Sequence, residues 1–514
     1  VLNQFVLFKI HGRRFLGSGA ALLAIVVVAG WFWPPALWSL VVLGPVLIVG
    51  LVDLTRSDNT IIRNFPVLGH FRYLFSSIAP ELHQYFVEGN TDGRPFNRNQ
   101  RNYVEKLSLS PGETHPFGTE LDVDAELYEW APHSIYPVDV MESAPRVSIG
   151  GEQCSQPYEA SLLNVSAMSF GSLSAAAIRA LNAGAKLGGF FHDTGEGGIS
   201  PYHLEFGADL VWEIGSGYFG CRTEDGRFDG DRFREQAAID AVKMIEIKLS
   251  QGAKPGHGGV LPAAKNSPEI ARIRGVKPGT KVVSPAYHRE FDDAHGLLRF
   301  VQRLRRLSGG KPTGFKLCVG DEREFTAVCR AMLDTGIRPD FITVDGSEGG
   351  TGAAPIEFSD SIGMPLEPAL AFVVDTLRGH GLRSEVRVLA SGKVITGFDL
   401  IRNLALGADA CNSARGMMFA LGCIQALKCD TNECPTGVTT HDPALTRGLV
   451  VTAKARRVAA YQRGVLSAML ELIAAMGLED VRDIRRHHIR KRTTPERTQS
   501  LEELYPPVAV GSAL

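Results

Sequence analysis

Beyond residue 160 the chain repeats one pattern: a short run of β-branched or apolar residues ends in Gly, Ser or Asp, and a helical stretch follows. Such alternation marks a parallel α/β architecture, because each parallel strand needs a crossover before the next one. The runs predict strands at 164–168, 190–193, 210–214, 244–249, 314–319, 341–345, 387–391 and, shorter, 408–411. Eight of them suggest a closed barrel. The first helix has its own start and stop: Ser172 or Ser174 caps SAAAIRALNAGAKLGG, Ile178 and Leu181 share a face, and Gly188 and Gly189 end it. An open doubly wound sheet fits less well, since no Gly-x-Gly-x-x-Gly turn follows the first strand with an acid about 20 residues on.

The N-terminal pattern differs. Residues 15–33 and 36–52 are two apolar stretches without a charge, parted by Pro34 and Pro35. Each approaches the ~20 residues that cross a hydrocarbon core of ~30 Å, the second with some mismatch. They predict a transmembrane hairpin. Lys9, Arg13 and Arg14 precede it and Arg56 and Arg63 follow it, so both ends are expected in the cytoplasm. Trp31, Trp33 and Trp38 would then sit at the outer interface. A cleaved signal peptide is disfavoured, because a second apolar stretch follows at once and no small-residue cleavage site separates the two. The expected organisation is a cytoplasmic start and hairpin (1–57), a connecting arm with short helices (58–137), the barrel (138–475) and a basic tail (476–514). The barrel would face the cytoplasm from the inner (cytoplasmic) membrane.

Charge adds little: 54 basic against 56 acidic side chains in 514 residues create no field suited to nucleic acid. Cysteine adds more. Eight are too sparse for a disulfide scaffold, and Cys154, Cys221, Cys318, Cys329 and Cys411 show no paired pattern, as expected of free core thiols. Cys423, Cys429 and Cys434 are different, standing at Cys-x5-Cys-x4-Cys in GCIQALKCDTNECPTG with a proline directly after the last. That is the grammar of an iron–sulfur ligand loop, which Gly422, Pro435 and Gly437 allow to turn so that the thiolates converge. Three ligands suit a three-iron (3Fe-4S) cluster. A four-iron cluster would want a fourth, either Cys411 or a group other than cysteine.

In such a barrel chemistry gathers at the C-terminal ends of the strands. The residues there include Ser169, Glu196, Lys248, Gln251, Lys316, Gly346, Gly349, Gly350, Gly392, Lys393, Arg415 and Gly416. Glycine turns in GSEGGTGAAP, ASGKV and NSARG expose backbone N–H groups, and Lys393 and Arg415 add positive charge, which together suit a phosphate. A phosphorylated flavin fits that cradle. Lys248 and Lys316, ending two strands, could reach the pyrimidine edge of its ring and stabilise the anionic reduced form.

The ordered motifs NVSAMSFGSLS, HDTGEGG, IKLSQGAKPGHGG, GFKLCVG, VDGSEGGTGAAP, ASGKVITG and GCIQALKCDTNECPTGV carry a resemblance to the flavin and synthase domain of glutamate synthases, over about residues 140–470. The resemblance implies a (β/α)8 TIM barrel holding FMN, here behind an N-terminal two-helix transmembrane hairpin, with Cys423, Cys429 and Cys434 as cluster ligands. It implies electrons passing from a separate donor through the cluster to FMN, and reduction of an imine formed from a 2-oxo acid and ammonia. Glu196 would be the acidic group near the reacting nitrogen, and Lys254 and Arg274 would hold substrate carboxylates. Arg274, in ARIRGVKPG, is equally compatible with the surface.

The chain departs from that family where members read KPGEGGQ and it reads KPGHGGV. His257 replaces the glutamate, as a proton donor near neutral pH or as a packing residue on the barrel rim, and Val260 replaces the substrate-binding glutamine. An apolar wall cannot satisfy a buried carboxylate, so the substrate is expected to be 2-oxoglutarate or a 2-oxo acid less polar at that end. No cysteine-nucleophile glutaminase domain, glycine-repeat domain or nicotinamide module is recognisable, so ammonia and electrons are expected from elsewhere, the latter from a ferredoxin or a membrane carrier. The stretch VRDIRRHHIRKR could dock an acidic donor or anionic lipid, or simply be solvated. A homo-oligomer is compatible with these features. Two other readings stand beside reductive amination: an FMN-dependent amino or hydroxy acid dehydrogenase feeding a membrane carrier, and a non-catalytic electron-transfer or assembly subunit. The hairpin favours the dehydrogenase, while intact Glu196, Lys254 and Lys316 weigh against the non-catalytic reading.

Overall fold

The computed structural model describes residues 12–56, 58–109 and 116–513. The chain forms two compact units, the first ending at Pro95 and the second starting at Phe96. In the first, helices Gly12–Phe32 and Leu40–Thr55 are joined by the 3-10 turn Pro34–Ser39. Arg14–Phe32 and Pro34–Thr55 are long and apolar enough to cross a membrane. Trp31, Trp33 and Trp38 are exposed around the proline turn. Glycine lets the two helices pack: a Cβ on Gly19 would strike Leu47 at 2.7 Å, and one on Gly50 would overlap the Phe15 ring. At the end of the second helix buried Asp53 accepts from the Val67 amide at 2.9 Å and from His70 Nε2 at 2.9 Å. That pair anchors helix Leu68–Leu82, which exposes an apolar row of Phe71, Leu74, Phe75, Ile78 and Leu82.

The second unit is built on eight parallel strands closed into a barrel. They are β1 (Leu163–Val165), β2 (His192–Asp193), β3 (Leu210–Ile214), β4 (Val242–Lys248), β5 (Thr313–Leu317), β6 (Phe341–Asp345), β7 (Arg387–Ser391) and β8 (Ala410–Ser413). β8 closes on β1 through the registers Cys411↔Leu163, Asn412↔Asn164 and Ser413↔Val165. The eight runs predicted from the sequence therefore all become barrel strands, shifted only at their ends. β1 stops at Val165, and the residues that follow it line a cavity. β8 begins two residues late because the Ala408 amide is taken by Asn403 O at 3.0 Å, in the helix end that Gly407 closes at φ 107°.

Ser174, rather than Ser172, caps helix Ala175–Gly188, its Oγ accepting from the Ala177 amide at 3.1 Å. This helix packs on Val451–Ala475 at close range: a Cβ on Gly184 would lie 2.7 Å from Val458 and 2.9 Å from Ala455 O. The N-terminal mouth of the barrel is plugged by the hairpin Val147–Ile149/Tyr158–Ala160, whose Ile149, Tyr158 and Ala160 pack on Phe191, Met244, Phe341 and Leu389. With that end filled, the cavity opens at the other.

The tail differs from the expected charged run. Arg490–Thr494 pairs with Arg497–Ser500 on one side and Glu129–Trp130 on the other in a three-stranded sheet. Lys491 reaches Glu367 at 2.7 Å and Glu129 at 3.1 Å, and buried Arg486 grips Asp375 at 2.8 Å. Much of the basic stretch is thus built into the fold, because its cations find carboxylates distant in sequence.

Candidate active site

Glu196, in the loop after β2, sits at the centre of one cavity wall and accepts from Lys248 Nζ at 2.8 Å. Lys248, the last residue of β4, also donates to Gln251 Oε1 at 2.5 Å. Glycine makes room for the carboxylate: a Cβ on Gly215 would stand 2.6 Å from its Oε2, and one on Gly259 would overlap its Oε1. Lys254 and Arg274 line the same wall and are only 4% and 5% exposed. Arg274 is therefore no surface residue. Its Nη2 donates to Phe170 O at 3.0 Å and Ser169 Oγ at 3.3 Å, its guanidinium lies 5.1 Å from the Phe219 ring centre, and its buried Nε has no partner.

The charges decide the protonation. Burial alone would raise the Glu196 carboxyl, but Lys248, Lys254 and Arg274 outweigh it and hold it down at about 2. Burial pushes the Lys254 ammonium down to about 8 and Arg274 to about 10, with Glu196 opposing in both cases. The wall carries a fixed anion surrounded by three cations, a net positive site for a carboxylate-bearing ligand.

Deeper in the barrel, Lys316 of β5 ion-pairs with Glu213 of β3 and lies 3.5 Å from Glu246 of β4. Asp193, Glu213 and Glu246 bring carboxylate oxygens within 4.8 Å of one another. Burial works against the Lys316 charge, but these carboxylates hold its ammonium protonated. Burial and neighbouring carboxylates raise Asp193 strongly and Glu246 to about 7. Lys316 lines the cavity as expected, yet its charge is already shared among acids rather than free for a ring edge.

Gly349, Gly350, Gly392, Lys393 and Arg415 line the opposite wall. A Cβ on Gly350 would overlap the Arg415 guanidinium, which donates to Thr351 O at 2.8 Å. Gly392 at φ 145° and Lys393 at φ 48° form a turn in which a Gly392 side chain would meet the Gly346 backbone at 3.4 Å. Arg415 has no carboxylate partner among the described residues. Asn412 of β8 also lines the cavity and leaves a buried Oδ1 unpartnered. A bare backbone wall, an uncompensated guanidinium and an orphaned acceptor fit a phosphorylated polar cofactor such as FMN.

The cysteine loop borders this wall. Cys429 lines the cavity, its sulfur 4.0 Å from Arg415 Nη1. Cys423 Sγ accepts from the Gln425 amide at 3.5 Å, and Cys434 Sγ lies 3.4 Å from Thr436 Oγ1. The loop bends through Gln425, Leu427 and Asn432, all at positive φ, and is tied down by the Ser174 hydroxyl on Gly437 O at 2.7 Å and by His441 Nε2 at 2.9 Å from Gly171 O. Three thiols on one loop, each with an N–H, O–H or guanidinium group beside its sulfur, fit an anionic iron–sulfur cluster. Cys411 is not among them: it is buried in β8, where Asn403 Nδ2 donates to its sulfur at 3.7 Å.

Five of the residues singled out in the sequence stand outside the cavity lining: Cys423 and Cys434 of the cysteine loop, and His257, Gly346 and Gly416. His257 Nδ1 lies 2.8 Å from Gly258 O and its ring packs edge-on against Phe358, so it belongs to the rim. Gly346 donates to Ser391 O at 2.8 Å and Gly416 packs under the Tyr461 hydroxyl, both shaping the turns rather than lining the space. Conversely, Lys265 carried no signal in the sequence. Buried, it donates to Ser172 O at 3.0 Å and Cys429 O at 2.8 Å, joining loops 93 and 164 residues away.

Residues 136–479 match the conserved region of glutamate synthases. The chain belongs to the glutamate synthase family. It is 38% identical to the glutamate synthase large subunit-like protein YerD of Bacillus subtilis over 483 residues, 85% of this chain and 90% of that one. It is also 34% identical to an archaeal glutamate synthase (NADPH) of Methanocaldococcus jannaschii over 338 residues, and 33% identical to an archaeal-type enzyme of Thermotoga neapolitana over 320. Those matches cover 66% and 62% of this chain but only 63% and 60% of the relatives' length. Among solved structures, a flavocytochrome b2 mutant with sulfite bound aligns with a TM-score of 0.44 at 14% identity, covering 87% of this chain and 90% of that one. The barrel assignment rests on this chain's own strand pairing. As a member of this family, the protein is an oxidoreductase.

Proposed function

We propose that the protein is a glutamate synthase-type enzyme that binds FMN and an iron–sulfur cluster and reduces a 2-imino acid, formed from a 2-oxo acid and ammonia, to the amino acid. The observation that carries this reading is the gathering of Lys248, Lys254 and Arg274 around Glu196 in a cavity that Cys429 also lines. Lys254 and Arg274 would hold the substrate carboxylate by charge and by directed N–H groups. Glu196, ionised at neutral pH, would favour a positive imine nitrogen beside it rather than donate a proton. Lys254, protonated below about 8, keeps a transferable proton near neutrality. Val260 leaves the wall it lines apolar, which favours a 2-oxo acid less polar at that end than 2-oxoglutarate.

Lys393, Arg415 and the backbone of Gly349, Gly350 and Gly392 would hold the FMN phosphate, and bound FMN would supply the hydride for the imine carbon. Cys423, Cys429 and Cys434 would hold the cluster, which supplies one-electron transfer between a separate donor and the cavity. With Cys411 turned toward Asn403, three thiolates favour the three-iron form. The two apolar helices would anchor the protein in the cytoplasmic membrane with the barrel on the cytoplasmic side, within reach of a membrane carrier or a soluble ferredoxin-like donor.

The deciding experiment is an anaerobic spectrum of dithionite-reduced protein before and after a 2-oxo acid plus ammonia. Flavin reoxidation with formation of the amino acid is the expected result. Protein that stays reduced, but whose oxidised form is bleached by an amino or hydroxy acid, is instead a dehydrogenase running electrons outward.

A further inference from the structure

We infer a second ligand site at the opposite, N-terminal end of the barrel: a pocket for a soluble anion carrying two or more phosphate groups. A cavity of about 890 Å³ opens there, bounded by Leu162 just before β1, Arg387 at the start of β7, Asp409 just before β8 and the folded-back tail around Arg485. Its size is that of a small-molecule pocket.

The charge is unbalanced. Seven arginines line the cavity against three acids, and two of those acids are already taken by arginines. Asp409 is taken by Arg383 at 2.9 Å, Asp375 by Arg486 at 2.8 Å, and Glu502 lies 3.2 Å from His487. Arg482 is held by Asp480 at 2.6 Å. Four guanidiniums remain without a carboxylate among the described residues: Arg146, Arg378, Arg387 and Arg485. Arg146 and Arg387 donate to carbonyls, at Glu159, Gly189 and Ser148, and form no ion pair with a carboxylate among the described residues. Arg485 donates to the carbonyls of Arg482 and Ile484, which leaves its charge uncompensated. Arg378, in the last turn of helix Leu366–Gly379, is exposed and makes no side-chain hydrogen bond or ion pair among the described residues.

Four like charges around one cavity repel each other, and an anion between them removes that cost. A monophosphate carries at most two negative charges, so the site is matched by two phosphates or more. Guanidinium forks suit phosphate oxygens in pairs. Leu162, Leu404 and Leu406 give the same cavity an apolar wall, against which the uncharged part of such a ligand can lie. None of these residues lines the cavity at the other end of the barrel, so the site stands or falls independently of the proposed reaction.

The test is calorimetric titration of pyrophosphate into the FMN-saturated full chain in non-ionic detergent at low salt. Saturable binding is expected, weakened at least tenfold in the double variant Arg378→Gln/Arg485→Gln and unchanged in Arg415→Gln, which alters only the opposite cavity. Both changed side chains, Arg378 and Arg485, are exposed. Pyrophosphate should also raise the Tm of the parent and not of the double variant. Absence of saturable heat, or weakening by Arg415→Gln in place of the double variant, would overturn the site. Repeating the titration with phosphatidylglycerol in the micelles separates the sources of phosphate: undiminished binding is expected for a recessed pocket for a soluble anion, and displacement would assign it to lipid headgroups and overturn the soluble ligand.

Discussion

Glu196 shows how the same residue type changes role with its surroundings. Burial alone would push a glutamate toward its neutral form, but here Lys248, Lys254 and Arg274 lock it as an anion. Glu196→Gln should keep FMN content while lowering kcat/KM about 100-fold, because neutral amide oxygen cannot balance a developing positive nitrogen. Retention of activity in that variant, measured with the amino acid product quantified, removes Glu196 from the chemistry. Lys254 makes a pH prediction. Its ammonium is present below about 8 and lost above, so kcat/KM should fall as pH rises through that value, and Lys254→Arg should move the falling limb to higher pH. Glu196, Lys248 and Lys254 could be singled out in the sequence because they sit in glycine-rich motifs after predicted strands. Arg274 could not be told from a surface arginine, because its burial depends on Phe219 and the loop after β1, which only the folded chain brings to it.

At the scale of elements, the cysteine loop and the glycine wall share Arg415, which touches Thr351 on one side and approaches Cys429 on the other. The two proposed cofactor sites are adjacent but differently built. Cys429→Ser should remove bound iron and sulfide while leaving most FMN, assayed by metal analysis and flavin absorbance. If iron remains stoichiometric, the loop is not its ligand. Helix packing supplies a stability prediction: Gly184→Ala places a methyl against Val458 and the backbone of Ala455, and should cost about 1–3 kcal/mol, read as a shift of the denaturation midpoint. The predicted strand runs were legible because apolar clusters and glycine stops are local. Their exact ends were not, since Asn403 and Gly407 decide where β8 begins by closing the preceding helix.

For the whole molecule, the division at Pro95 and Phe96 separates the apolar helices from the barrel. A chain beginning at Phe96 should therefore keep its barrel, its flavin absorbance and its thermal transition, and should move from the membrane to the soluble fraction. Continued sedimentation with lipid would place the main anchor elsewhere.

The sequence by itself determined the repeating strand and helix pattern, the apolar N-terminal stretches, the cysteine spacing and the family motifs, all of which are written in residues near one another along the chain. Tertiary structure alone decided that Lys316 is bound up with Glu213 and Glu246, that His257 turns to the rim, that Cys411 leaves the other cysteines, and that Lys265 joins the cysteine loop to the loop after β1. It also turned the basic tail into a partner for Asp375, Glu367 and Glu129, leaving four uncompensated arginines at the barrel's closed end. The physical reason is common to all of these. Charge compensation and burial depend on which groups are neighbours in space, and closing a barrel makes neighbours of residues a hundred or more positions apart.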